Sequence, residues 1–202
     1  GEMKRGSLRL VASQTIASYW LPPRLATFHS LYPQIAVELA IDNSEGAAKR
    51  VLDGSAELGF VEGAIDEPAL AYWVVAKDRL ALVGATQAPQ IDEDWIRAAT
   101  WIVREQGSGT RSSFEDVLRH RGIDAADLRI GMTLPSNEAV RTAAEAGAGV
   151  AVLSHLVVAR AIKIGNLHEL PLELPERAFN ALRHKERYRT RAADALTDLI
   201  KE

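Results

Sequence analysis

Ser7-Leu8-Arg9-Leu10-Val11-Ala12-Ser13-Gln14-Thr15 opens on apolar residues and closes on three polar ones, and that switch sets the reading of the fold. Residues 7–12 read as a short strand, and Ser13-Gln14-Thr15 as the polar break after it. Leu21-Pro22-Pro23 then opens a helix, because the first turn tolerates proline, whose missing N–H would have no helical acceptor there. Leu21, Leu25, Phe28 and Leu31 fall on one helical face, and Pro33 stops the run. Ile35, Val37, Leu39 and Ile41 alternate as a half-buried strand does. Asp42-Asn43-Ser44 supplies capping chemistry for a second helix through Leu52, which Gly54 ends. Leu58–Val61 is a third strand, closed by Glu62-Gly63. Strand, helix, strand, helix, strand implies an α/β fold with a parallel sheet and right-handed crossovers.

The middle of the chain repeats the plan. Trp73–Val83 reads as two strands turning at Lys77-Asp78, and Ile91–Ala99 as a short helix. Trp101-Ile102-Val103 is a buried strand, and residues 104–110 form a glycine-bearing loop that leads into a helix ending at Gly122. Arg129–Leu134 reads as a strand, Ser136–Ala146 as a helix closed by Gly147, and Val150–Leu153 as the next strand. The tail adds a helix near Ser154–Ile164, strands at Leu167–Leu172 and Ala178–His184, and an amphipathic helix at Ala192–Lys201. Two α/β units with tail strands left over suggest two Rossmann-like lobes. The expected division is residues 1–84 plus 161–202 for the first and 85–160 for the second, with crossings near Leu82–Thr86 and Leu153–Arg160.

Composition narrows the function classes. The 202 residues are 47% hydrophobic and 25% charged, enough apolar material for a sizeable core. Lys+Arg 24 against Asp+Glu 27 leaves −3, which disfavours a surface built to wrap nucleic acid. The one basic run, Arg183-His184-Lys185-Glu186-Arg187-Tyr188-Arg189-Thr190-Arg191, reads as a solvated connection before the last helix rather than a phosphate-contacting patch. Absence of cysteine excludes thiol nucleophiles, Cys-ligated zinc and iron–sulfur clusters. The five histidines include no His-x-x-x-His pair, so no metal is expected. Charge interrupts every apolar run well short of the ~20 residues that span a membrane, and Arg9 breaks the first run as a secretory segment. A cytoplasmic protein, or a piece of one, is expected.

Candidate chemistry collects after the strands. Ser13-Gln14-Thr15, Asn43-Ser44, Gln106–Thr110 and Ser136-Asn137 each follow a strand and precede a helix, the position where open α/β sheets bind ligands. Hydroxyls and amides at helix starts suit anions or carboxylates, and Arg104 adds positive charge. The same residues would also serve as ordinary N-caps. Glu62 reads as a hydrogen-bond acceptor or a cleft-lining charge. The candidate effector contacts are therefore Ser13, Gln14, Thr15, Asn43, Ser44, Glu62, Arg104, Gln106, Ser108, Thr110, Ser136 and Asn137. Gly107-Ser108-Gly109-Thr110-Arg111 lacks the lysine of a nucleotide P-loop, and no dinucleotide fingerprint follows the first strand. Ser154-His155 lacks the Gly-x-Ser-x-Gly setting of a hydrolase. No catalytic residue and no cofactor are expected. Trp20 and Trp73 read as core or interface aromatics.

Several of these segments, taken in order, carry a resemblance. Residues 6–13 followed by Leu21-Pro22 and Phe28-x-x-x-Tyr32-Pro33 are the first. Val51-Leu52-Asp53-Gly54-x-x-Glu57-Leu58-Gly59-Phe60-Val61-Glu62-Gly63, residues 104–111, Ser136-Asn137-Glu138-Ala139-Val140, residues 146–154 and Lys185-Glu186-Arg187-Tyr188 complete the set. The ordered set resembles the effector-binding domain of LysR-type transcriptional regulators, over nearly the whole chain. The resemblance implies a type II periplasmic-binding-protein-like fold, two subdomains with a cleft between them. It implies a small effector, an oxyanion or carboxylate, with Ser13 and Thr15 as its shelf and Gln106, Ser108, Thr110, Ser136 and Asn137 as contacts from the second lobe. Ile16 stands where some sulfate-responsive members carry glutamine, which argues against sulfate. A winged helix-turn-helix outside this chain would contact promoter DNA. The domains would pair as homodimers, and as tetramers at full length, through segments near residues 20–30 and 112–119. A transport-type solute receptor is the alternative.

Overall fold

A computed structural model describes residues 6–201; residues 1–5 and 202, assigned above to the first lobe, lie outside the described residues. Strand β1 (Gly6–Ala12) begins exposed and ends buried, because it becomes central as neighbours join it. It pairs in parallel with β2 (Ile35–Ile41) along its whole length and with β3 (Leu58–Glu62) from Leu10 onward. Its side chains alternate between two cores. Leu8, Leu10 and Ala12 meet helix α1 (Leu21–Leu31) on one face, while Val11 meets Ala47, Ala48 and Val51 of α2 (Ser44–Leu52) on the other. The helix after β1 begins earlier than the prolines suggest: Gln14 and Thr15 are already helical and run through a π-helical stretch, Ile16–Trp20, into α1. Ile16 is fully buried in the α1-side core.

Strand β4 (Leu70–Gly84) is one 15-residue strand, so the turn expected at Lys77-Asp78 does not exist. Asp78 is polar for a different reason: it is a buried, paired carboxylate. Contacts divide the chain into two units within this strand, between Lys77 and Asp78, and again between Arg177 and Ala178. The sequence reading puts those divisions at 84/85 and 160/161. The difference arises because residues 161–177 pack into the second unit, where Leu170 joins the core and His168–Glu169 pairs with β4.

The second unit continues with α3 (Glu93–Ala98), β5 (Thr100–Arg104), α4 (Gly109–His120), β6 (Arg129–Leu134), α5 (Asn137–Glu145), β7 (Ala151–Ser154), α6 (His155–Lys163) and β8 (His168–Glu169). β5 and β6 are parallel, whereas β7 and β8 run antiparallel to β4. Leu167–Leu172, read as a full strand, pairs only over the two residues of β8. The core forms around Trp101, which is fully buried, stacks 4.7 Å from Phe114 and donates its Nε1–H to Ile96 O at 2.8 Å.

β9 (Glu176–His184), from Ala178 onward, and α7 (Arg191–Lys201) complete the first unit. β9 pairs antiparallel with β3, so the sheet is mixed rather than wholly parallel. Phe179 and Ala181 of β9 and Ala192, Ala193, Leu196 and Ile200 of α7 join the α1-side core. Trp20 sits there too, 6.0 Å from Phe179, as a core aromatic.

Candidate functional site

In the first unit the structure brings two of the sequence candidates, Ser13 and Ser44, onto a third, Glu62. Ser13 leaves β1 and is held by its own N–H to Phe60 O at 3.0 Å. Its hydroxyl donates to Oε2 of Glu62, the last residue of the adjacent β3. Ser44 donates its hydroxyl to the main-chain oxygen of the same Glu62 at 2.8 Å. Ser13, Ser44 and Glu62 are all buried, as is Thr15 in the first turn of the following helix, while Gln14 beside it is half-buried. The first helical bond runs from Ala17 N–H to Ser13 O at 2.8 Å, so the amides of residues 14–16 precede the helical ladder. Asn43 caps α2 by accepting Gly46 N–H at 2.8 Å. Asn43→Ala is expected to lower stability by about 1 kcal/mol in urea unfolding. A change within a few tenths would mean that water caps α2 equally well.

In the second unit two parallel strands deliver two helix starts side by side. Arg104, at the end of β5, donates Nη1–H to Asn137 Oδ1 at 2.5 Å, and Asn137 is the first residue of α5. Arg104 is not a bare positive charge. Its Nε and Nη2 bind both oxygens of Glu105, at 2.8 and 3.2 Å, and its main-chain oxygen accepts Arg111 Nη1–H at 2.9 Å. Ser108 caps α4 by accepting Arg111 N–H at 3.2 Å, and Ser136 caps α5 by accepting Ala139 N–H at 3.0 Å. A serine that caps through its oxygen keeps its own proton to donate, so capping and ligand binding are compatible roles. Thr110 accepts Arg177 Nη1–H at 3.1 Å. Gln106 lines a cavity of about 420 Å³ with Arg111, Phe114 and Glu115.

Residues the sequence reading missed are Glu105, which neutralises Arg104, and the set Asp78, Arg177 and Ser154. Glu105 was available as an adjacent opposite charge. Ser154, weighed above beside His155, instead donates its hydroxyl to Asp78 at 2.8 Å from a fully buried position. No group of three or more His, Asp or Glu side chains able to hold a metal ion occurs among the described residues. No described helix is long and apolar enough to cross a membrane.

Residues 1–202 match the family model described as the LysR substrate binding domain. The chain belongs to that family. It is 30% identical over 199 residues to the HTH-type transcriptional regulator YeiE of Escherichia coli K12, covering 96% of this chain and 67% of YeiE, so it spans about two-thirds of that relative. The CcmR regulatory domain of Synechocystis PCC6803, solved in complex with 2-PG, superimposes with a TM-score of 0.86 at 25% identity, over 98% of this chain and 96% of that one. The QuiR effector-binding domain, solved with shikimate, gives 0.85 at 16% identity over 97% and 95%. The domain therefore has the type II periplasmic-binding-protein-like fold of LysR effector-binding domains. It is a ligand-sensing regulatory domain of a transcriptional regulator, not a transport receptor.

Proposed function

We propose that the domain senses a small hydroxylated organic acid: Ser108 and Ser136 suit an acid group, and Ser13, Thr15 and Glu62 suit a hydroxyl. The observation that carries this reading is the pair of helix starts joined by Arg104 and Asn137, where Ser108 and Ser136 each keep a hydroxyl proton to donate. Helix N-termini present orphan N–H groups and partial positive charge, and an anion near one gains about 0.3–1 kcal/mol from the dipole alone. Arg104 adds less than a free guanidinium would, because Glu105 balances it. Glu62 in the first unit favours the opposite chemistry, since a buried carboxylate accepts hydroxyl protons and opposes a second negative charge. Ser13, Thr15 and Glu62 are thus proposed to read the hydroxyl, and Ser108 and Ser136 the acid. Thr110 and Asn137 hold their neighbours in place.

The test is a thermal-shift titration with 2-PG, glycolate, glycerate and sulfate. At 100 times its dissociation constant a ligand stabilises by ~2.7 kcal/mol, which at this size raises the melting temperature by roughly 5–10 °C. A hydroxy acid is expected to give that shift and sulfate is not. Ser136→Asp retains the cap but sets a negative charge at the acid site, so it should fold with near-normal stability and lose the shift. Equal binding by Ser136→Asp and the parent would remove Ser136 from the effector contacts.

In the whole regulator the same binding is proposed to alter a homodimer or tetramer in the cytoplasm, which contacts promoter DNA through a helix-turn-helix part outside this chain. The effector would be released unchanged. An effector that leaves both the sedimentation profile and the DNA footprint of the full regulator unaltered would refute that relay.

A further inference from the structure

A cavity of about 520 Å³ opens in the first unit at the strand ends opposite Ser13 and Glu62. Leu58, the first residue of β3, forms its floor with Trp73 of β4, and Arg183 of β9 forms one side. Ala193, Thr197 and Lys201 of α7, spaced four residues apart, form the other. On the α7 side the lining side chains Ala193 and Thr197 are small, and on the sheet side Trp73 is half-buried.

The charges around this cavity are not equivalent. Arg187 donates to Leu52 O at 2.7 Å and so closes the end of α2, and Arg9 donates to Gly54 O at 3.1 Å. Arg189 pairs with Asp194 at 3.7 Å. Arg183 and Lys201 differ: neither side chain makes a hydrogen bond or ion pair among the described residues. Arg183 is moreover half-buried, because Phe179 and Ala181 on the same face of β9 point into the core and alternation carries Arg183 to that side. A partly desolvated guanidinium without an anion is unfavourable where an apolar residue would pack. Trp73 adds an indole Nε1–H that is buried and has no hydrogen-bond partner among the described residues.

We infer that this cavity is a second ligand site, for a carboxylate with a compact apolar body. Arg183 and Lys201 hold the carboxylate, the guanidinium offering two parallel N–H donors. Leu58, Trp73 and Ala193 cover the body. The volume lies within the range of small-molecule sites. No residue is shared with the effector site proposed above, so the two readings stand or fall separately. The basic run at residues 183–191 thereby acquires a role that is neither solvation nor DNA contact.

The experiment is calorimetric titration with 3-phenylpropionate, with 3-phenylpropanol as the uncharged control. Saturable binding of the acid and roughly tenfold weaker binding of the alcohol are expected. Arg183→Gln should weaken the acid about tenfold, and Arg183→Lys should restore part of that loss. Thr197→Leu fills the cavity without touching a charge and should abolish binding, while circular dichroism verifies the fold of each variant. Ser136→Asp, which disables the proposed effector site, should still bind phenylpropionate. The inference is overturned if the parent binds no acid at about 10 mM, weak even for a first ligand. It is equally overturned if Thr197→Leu and Arg183→Gln bind like the parent, or if Ser136→Asp alone removes binding.

Discussion

Asp78→Ala is expected to lower the unfolding free energy of the second unit by about 3–5 kcal/mol, the usual result of removing one partner from a buried ion pair. The Asp78 and Arg177 side chains are 2% and 7% exposed, and Arg177 Nε–H donates to Oδ2 at 2.8 Å. Ser154 donates to the other carboxylate oxygen and Thr110 accepts from Arg177 Nη1, so four side chains close one polar network. Without Asp78 the buried guanidinium loses this carboxylate, and Ser154 loses its acceptor. The contribution to the melting temperature is roughly 6–20 °C for a chain of this length. Urea unfolding followed by the fluorescence of Trp95 and Trp101, both in the second unit, reads it directly. Asp78→Leu combined with Arg177→Met should recover most of the loss, because apolar replacement of a buried pair is often neutral or better. A loss below about 1 kcal/mol for Asp78→Ala would show that water reaches the guanidinium.

That network also marks where sequence reading stops. Lys77-Asp78 is a polar pair inside an apolar run, and locally such a pair signals a turn. Its meaning depends on Arg177, 99 residues away, and nothing local announces that partner. The crossover region of the first unit was legible because each step has a local cause: alternation in residues 35–41, the Asn43 cap and the glycine stop at Gly54, whose φ is +82°. The helix beginning at Gln14 was not, since Ile-Ala-Ser-Tyr-Trp at 16–20 lacks a helical stripe and is held by burial in the core. Ser108 and Ser136 were legible as helix caps, because a serine between a strand and a helical pattern is placed to accept the first free amides. The charge state of the site was less so: Arg104 reads as a free cation in sequence, and only the fold bends Glu105 back onto it. Arg183 shows the converse, a member of an exposed-looking basic run that the strand register turns toward the core.

Glu62→Gln is expected to change which ligands the domain prefers, by about 10- to 100-fold. A hydrogen bond from a ligand hydroxyl to a carboxylate contributes about 1.5–3 kcal/mol, and the neutral amide returns only part of it. The parent domain should therefore bind glycolate more tightly than acetate, and Glu62→Gln should bring the two close together. Ser13 keeps an acceptor in the glutamine oxygen, so the variant is expected to fold. Simple oxyanions decide the matter by sign. A second negative charge about 4–5 Å from Glu62 costs on the order of 3–4 kcal/mol at an effective dielectric near 20. If Ser13 and Thr15 were an anion shelf, removing the Glu62 charge would tighten sulfate, phosphate and the hydroxy acid alike. If Glu62 reads a hydroxyl, the variant weakens glycolate while any sulfate binding strengthens. Opposite movement of glycolate and sulfate in Glu62→Gln, measured by calorimetry under matched ionic strength, is the expected result; joint strengthening would make Ser13 and Thr15 contacts for an acid group instead.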